Sequence, residues 1–85
     1  MRVTVRLGEP FWRAVGQRET TLALETGATA ERALAVLTQR YPALAPELNN
    51  GEAHPALFIN DESASSNSLL TDGATLYVVW PVSGG

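Results

Sequence analysis

The residues best suited to take part in a reaction lie at the C-terminal end of the 85-residue sequence. This end reads Pro81-Val82-Ser83-Gly84-Gly85 and follows an apolar strand pattern. Glycine has no Cβ, so a Gly-Gly end can enter a narrow channel without a side-chain clash and can adopt whatever φ the channel requires. The segment after Pro81 would span about 13 Å when extended at ~3.3 Å per residue. A partner enzyme could therefore work on the Gly85 carboxylate while it holds the folded body.

Other reactive groups are scattered along the chain. His54 is the single histidine and precedes Pro55 in a predicted loop, where an ordinary loop histidine is the favoured interpretation. Asp61 and Glu62 could bind a cation, but adjacent carboxylates at a turn are usually solvated, and we predict no metal site. No spacing of Ser, His and Asp and no pair of carboxylates predicts a catalytic arrangement, so we do not expect the chain to act as an enzyme alone.

Composition excludes several classes of function. Hydrophobic residues make up 45% of the chain, and its length suits one domain with a single core. The absence of cysteine excludes disulfides, zinc-thiolate sites and a catalytic thiol. Six basic residues, all arginine, against nine acidic ones give a net charge of −3, which disfavours nucleic acid as a partner. Because the sequence shows neither a targeting pattern nor an apolar run near ~20 residues, we expect a cytoplasmic protein with no membrane partner.

Hydrophobic periodicity predicts the elements that would carry the glycine tail. Residues 2–7 and 17–25 alternate apolar and polar side chains, which predicts two strands joined as a hairpin. Residues 11–15 between them suit one short helical turn. Phe11-Trp12 in this turn could be a lid on the core or an exposed anchor, and we favour the lid.

The middle of the chain predicts one main helix followed by a short strand. Residues 30–40 place apolar side chains at helical spacing, after Thr29 as the N-cap and before Pro42, which stops the helix. Residues 56–59 form an apolar strand pattern. Residues 63–68 are small and polar, which predicts a loop or a weak edge strand.

The predicted last strand has two different faces. Leu76 and Val78 fall on the core side, whereas Tyr77 and Val79 fall on the opposite side. An apolar patch on that opposite face could dock a partner, or the loop 42–55 could cover it, and the pattern leaves both open. The predicted partner interface consists of Leu7, Tyr77, Val79, Trp80 and Pro81.

The order strand, strand, helix, strand, strand predicts an α+β domain. Its mixed sheet packs on one main helix, and Leu69-Leu70 are expected to enter the core. This arrangement is the ubiquitin-like β-grasp roll, predicted over residues 1–81 with residues 82–85 as a flexible C-terminal tail.

Several short motifs together resemble one known family. At the C-terminal end they are Leu70, Asp72-Gly73 and Pro81-Val82-Ser83-Gly84-Gly85. Upstream they are Ala14-Val15-Gly16, Glu19, Gly27-Ala28-Thr29, Leu34, Leu37 and Tyr41-Pro42. In order and spacing these residues resemble the MoaD and ThiS group of ubiquitin-like sulfur carriers, above all the small subunit of molybdopterin synthase. Residues 8–13 and Trp80 depart from that pattern, near surfaces expected to meet partners.

The resemblance implies a carrier that other enzymes act on. In this family a MoeB/ThiF-type activating enzyme uses ATP and Mg²⁺ to adenylate the terminal glycine, and a sulfur donor such as a cysteine desulfurase then displaces AMP to leave a thiocarboxylate. The resemblance therefore implies that Gly85 is the adenylation and thiocarboxylate site, that the tail binds its partners through Val82, Ser83 and Gly84, and that the chain holds no cofactor. The large subunit of molybdopterin synthase, or another sulfur-accepting synthase, is the implied second partner.

Three hypotheses about function stay open on the sequence. The first is a sulfur carrier for molybdopterin synthase. The second is a related carrier for cysteine, thiazole or tRNA thiolation, or a protein modifier, which the atypical residues 8–13 favour. The third is an interaction domain whose glycine tail is incidental.

Overall fold

One mixed sheet organises the computed structural model, which describes residues 1–48 and 55–80. Its strands are β1 (Arg2–Leu7), β2 (Glu19–Ala23), β3 (Ala56–Ile59), β4 (Glu62–Ala64) and β5 (Thr75–Val79). The helices are α1 (Phe11–Val15), α2 (Ala30–Arg40) and α3 (Leu44–Leu48). The strand order is β2-β1-β5-β3-β4, in which β1 and β5 pair in parallel and the other neighbours are antiparallel.

The alternating pattern of β1 sets the two faces of the sheet. Val3 and Val5 are fully buried, and Val5 lies opposite Leu76 in the parallel pair with β5. Arg2, Thr4 and Arg6 alternate with them and point to the other face, because successive side chains of a strand point to opposite sides. The sheet therefore has one apolar inner face and one outer face, as the sequence predicts.

Helix α2 supplies much of the cover for the inner face. Thr29 is its N-cap and accepts a hydrogen bond at Oγ1 from the amide of Arg32 at 3.3 Å, which confirms the predicted cap. The helix ends where predicted, at Arg40, two residues before Pro42. Its buried side chains are Ala30, Ala33 and Leu37. The predicted arrangement, a mixed sheet packed on one main helix, is confirmed.

Two predicted placements are wrong, and strand alternation explains both. Leu7 is only 6% exposed and lies in the core with Val3 and Val5, so it does not join the outer face. Leu69 is 67% exposed whereas Leu70 is 3% exposed, so only Leu70 enters the core. Leu69 forms an isolated bridge with Thr29, and extended neighbours point in opposite directions.

The described part of the segment 42–55 packs on the helical side of the domain. Leu44 and Leu48 of α3 are buried in the core, and α3 contacts both α1 and α2. Residues 42–48 therefore do not cover the outer face, while 49–54 lie outside the described residues. Of the loop or weak edge strand predicted over 63–68, residues 63–64 belong to the edge strand β4 and residues 65–68 form a turn. No helix within 1–48 or 55–80 is long and apolar enough to cross a membrane.

Candidate functional site

The candidate site lies around the C-terminal end of β5, where the chain leads into the glycine tail. Trp80 is the last residue before the tail that the structure describes. Pro81, Val82, Ser83, Gly84 and Gly85 lie outside the described residues, as does His54, so their assigned roles stay predictions.

The C-terminal end of β5 is held in place by its parallel pairing with β1. The parallel pairing reaches Leu7 opposite Val78, and the amide of Gly8 donates a hydrogen bond to the carbonyl of Val78 at 2.9 Å. A Cβ built on Gly8 would lie 3.3 Å from Cγ1 of Val79, a tight approach. The small residue at position 8 therefore lets the chain after β1 pack directly against the last residue of β5.

Helix α1 fixes Trp80 at the end of β5. Phe11 is fully buried, which confirms its predicted role as a lid on the core. Its ring centroid lies 5.9 Å from that of Trp80, with the planes tilted by 51°. Such a tilted aromatic pair packs favourably beyond its buried area. The last described residue of the chain is therefore seated on the core.

Trp12 follows Phe11 and is half-buried, and the guanidinium groups of two arginines lie over its ring. The guanidinium carbon of Arg18 lies 4.6 Å from the Trp12 ring centroid, and that of Arg13 lies 5.5 Å from it. Both distances are within the range of a cation–π interaction. Trp12 therefore packs against the core, as the lid interpretation predicts, while a role as an anchor for a partner stays a prediction.

The two arginines differ in their ionic partners. Nη2 of Arg13 donates a hydrogen bond to Oε1 of Glu9 at 3.0 Å, and this bond, with the charge of Arg13, lowers the pKa of Glu9. No carboxylate among the described residues lies within salt-bridge distance of the Arg18 guanidinium. The charge of Arg18 also helps to lower the pKa of Glu9, but without an ion pair its donors are available to solvent or to a partner.

The outer face of β5 carries the predicted interface residues Tyr77 and Val79, both half-buried. Tyr77 lies between Arg6 on β1 and Phe58 on β3 in the sheet register. Phe58 is 36% exposed and extends the aromatic surface. The short run Ala56–Ile59 is apolar throughout, so its alternation was hidden and the sequence interpretation missed Phe58.

The described residues contain no arrangement for metal chemistry. Across residues 1–48 and 55–80, no group of three or more His, Cys, Asp or Glu side chains could hold a metal ion. Asp61 and Glu62 follow β3 as exposed turn and strand residues. What this part of the chain offers chemically is a rigid aromatic and basic surface beside the start of the tail.

The chain matches one family model and is similar to several solved structures. The model of the ThiS family matches residues 5–85. The crystal structure of SAMP1 from Haloferax volcanii is 27% identical, with a TM-score of 0.86 and coverage of 100% of both chains. A putative molybdopterin converting factor subunit 1 from Pyrococcus furiosus is 21% identical, with a TM-score of 0.78 and coverage of 96% of this chain and 99% of that one.

A third solved structure contains a partner subunit. In the complex of subunits 1 and 2 of the molybdopterin-converting factor from Helicobacter pylori, the matched chain is 24% identical, with a TM-score of 0.68 and coverage of 100% of both chains. No curated protein sequence matches the chain. The solved structures confirm the ubiquitin-like β-grasp fold.

Proposed function

Because the chain belongs to the ThiS family, we propose that it is a ubiquitin-like sulfur carrier whose C-terminal Gly85 is adenylated and converted to a thiocarboxylate. The most specific form of this proposal is the small subunit of molybdopterin synthase, which gives its sulfur to the pterin precursor in molybdenum cofactor biosynthesis. The chain would then be a carrier and a non-catalytic subunit, and the chemistry would belong to its partners.

The strongest support is the family match itself, because it extends over residues 5–85 and so includes the terminal Gly84-Gly85. The structure adds a second line of support at the tail end. Trp80 is packed on Phe11 directly before the tail, so a partner can hold the folded body close to the reacting carboxylate.

The proposed chemistry explains why the carrier needs an activating enzyme. A carboxylate is a poor electrophile, so the Gly85 carboxylate first attacks the α-phosphate of ATP on the activating enzyme and displaces pyrophosphate. Mg²⁺, held with ATP on that enzyme, neutralises the phosphate charge. Hydrosulfide then attacks the acyl carbon of the mixed anhydride, and AMP leaves. When a persulfide is the nucleophile instead, the first product is an acyl disulfide, and a thiol of the sulfur donor cleaves its S–S bond, forming a disulfide on the donor. The product is a thiocarboxylate, an ionised sulfur nucleophile at neutral pH.

A second function within the same family is favoured by a separate observation. The Haloferax volcanii structure with 27% identity over the whole chain is a SAMP, a small archaeal modifier protein. The activated Gly85 carboxyl would then be transferred to the amine of a target protein. A carrier for cysteine, thiazole or tRNA thiolation would share the activation step and differ in the acceptor.

Discharge of the loaded protein tests which acceptor is correct. We expect the thiocarboxylate form to lose its sulfur when the large synthase subunit and the pterin precursor are added together, as followed by intact mass. The matched controls omit one of these two components, and neither should discharge the carrier. Loss of sulfur only to an activated serine derivative with its own synthase, or to protein amines, would contradict the molybdopterin assignment while retaining the carrier chemistry.

A further inference from the structure

Charged side chains are unevenly distributed between the two ends of the sheet. At the end where β5 stops and the tail begins, the described charges are Arg6, Arg13, Arg18 and Arg40 with Glu9, Glu19 and Glu47. At the end where β5 starts, they are the Met1 ammonium, Arg2 and Arg32 with Glu25, Glu31, Asp61, Glu62 and Asp72. The tail end is therefore the basic end of a chain whose net charge is −3.

Two of the four arginines at the tail end have no carboxylate partner among the described residues, and one of these, Arg40, donates from Nη1 to the carbonyl of Thr21 at 3.3 Å. Nε of Arg6 lies 3.6 Å from Glu19, and Arg13 is paired with Glu9. The Arg18 guanidinium stands 4.6 Å from the Trp12 ring centroid without a carboxylate partner in the described residues. A guanidinium has five N–H donors, and a cation–π contact does not use them all, so Arg18 can still pair with an anionic group.

The base beneath Arg18 is rigid. Trp12 packs against the core and follows the fully buried Phe11 in α1. Gly16 ends α1 in the left-handed region at φ 89°, and its amide donates to the Trp12 carbonyl at 2.8 Å. This turn brings the chain back so that Arg18 lies over Trp12. We call this pair of residues the Trp12–Arg18 platform.

Any enzyme that acts on Gly85 must come close to this platform. The five residues after Trp80 span at most about 17 Å at ~3.3 Å each. Trp80 is in turn 5.9 Å from the ring of Phe11, the neighbour of Trp12. The body of such an enzyme therefore lies close to the five-residue helix α1, which carries Trp12.

We propose that the Trp12–Arg18 platform is a docking surface for an acidic patch on the activating enzyme, beside the channel that receives the tail. A carboxylate of that enzyme pairs with Arg18, and Trp12 supplies the apolar contact below it. Trp12 lies in the stretch 8–13 that departs from the family pattern, near a surface expected to meet partners. This inference rests on the proposed function.

Charge-neutralising variants at the two ends test the inference. The assay is ATP–pyrophosphate exchange by a MoeB/ThiF-type activating enzyme from the same organism, measured against carrier concentration. We expect Arg18→Gln to raise the KM for the carrier by about threefold to tenfold and to leave kcat unchanged, because the variant loses a contact and keeps the tail. Arg2→Gln removes the same charge from the opposite end and should leave both constants unchanged.

Two further measurements separate a specific contact from general attraction. Raising the salt concentration should increase the KM for the wild-type carrier more than the KM for Arg18→Gln, because salt screens interactions between exposed charges. Arg18→Lys should give an intermediate KM, since it keeps the charge but loses the planar stacking. An unchanged KM for Arg18→Gln, or equal increases for Arg18→Gln and Arg2→Gln, would overturn the inference while the wild type is still activated. Failure of the wild type itself in this assay would instead overturn the proposed function, and the inference with it.

Discussion

Deletion of Gly85 is expected to abolish adenylation by the cognate activating enzyme and to leave the unfolding temperature almost unchanged. The reacting carboxylate would move back by one residue, about 3.3 Å, and a misplacement of only ~1 Å can cost about 10²-fold in rate. The core residues that end β5 lie at Leu76 and Val78, well before the tail, so the fold should not depend on Gly85. ATP–pyrophosphate exchange measures the first effect, and thermal unfolding followed by circular dichroism measures the second.

A chain with one alanine added after Gly85 is the matched control for this deletion. It retains every native residue and a free C-terminal carboxylate, but the carboxylate is one position too far along the tail. We expect it to be inactive as well, which would show that position and not mere presence of a carboxylate matters. Normal adenylation of the deletion variant, or of a chain that ends at Ser83, would contradict the carrier hypothesis.

Leu76→Ala is expected to lower the free energy of unfolding by about 2 to 5 kcal/mol, because it removes buried methyl groups and leaves a cavity. Leu76 is fully buried in β5, where it lies opposite Val5 on one side and Ile59 on the other. The whole free energy of unfolding of a native protein is roughly 5 to 15 kcal/mol, so this loss would threaten the fold. Denaturant unfolding midpoints measure it.

Val79→Arg on the same strand is the control for face and strand position. Val79 is half-buried on the outer face, next to Gly8, so a long charged side chain can extend to solvent. We expect this variant to remain close to wild type in stability and to bind the activating enzyme more weakly. An unfolded Val79→Arg together with a native-like Leu76→Ala would reverse the assignment of the two faces.

The fold could be predicted from the sequence wherever one periodicity was long enough to be unambiguous. The alternation through residues 2–7 and the helical spacing through 30–40 each identify a buried side, and both elements form there. The same alternation places Leu7 with Val3 and Val5, so its assignment to the outer patch was an error of interpretation. Leu69 was misplaced for a different reason: which of two adjacent leucines faces inward depends on the register of the bridge that contains them, and composition does not encode that register.

The candidate site could be predicted in part. The tail was identifiable because Gly-Gly and the lack of other reactive groups are properties of residue type. The Trp12–Arg18 platform was not, because Arg18 follows Trp12 by six positions and returns over its ring only through the left-handed turn at Gly16. Phe58 was hidden because its strand is short and apolar on both faces.

The most direct test of the carrier assignment is the intact mass of the protein after incubation with its activating enzyme, ATP, Mg²⁺ and a sulfide or persulfide source. Replacement of one carboxylate oxygen by sulfur predicts a gain of about 16 Da, and fragmentation should locate the whole gain at Gly85. The reaction without ATP is the control and should leave the mass unchanged. An unchanged mass with every activating enzyme of this type from the same organism would contradict the assignment and favour an interaction domain whose glycine tail is incidental.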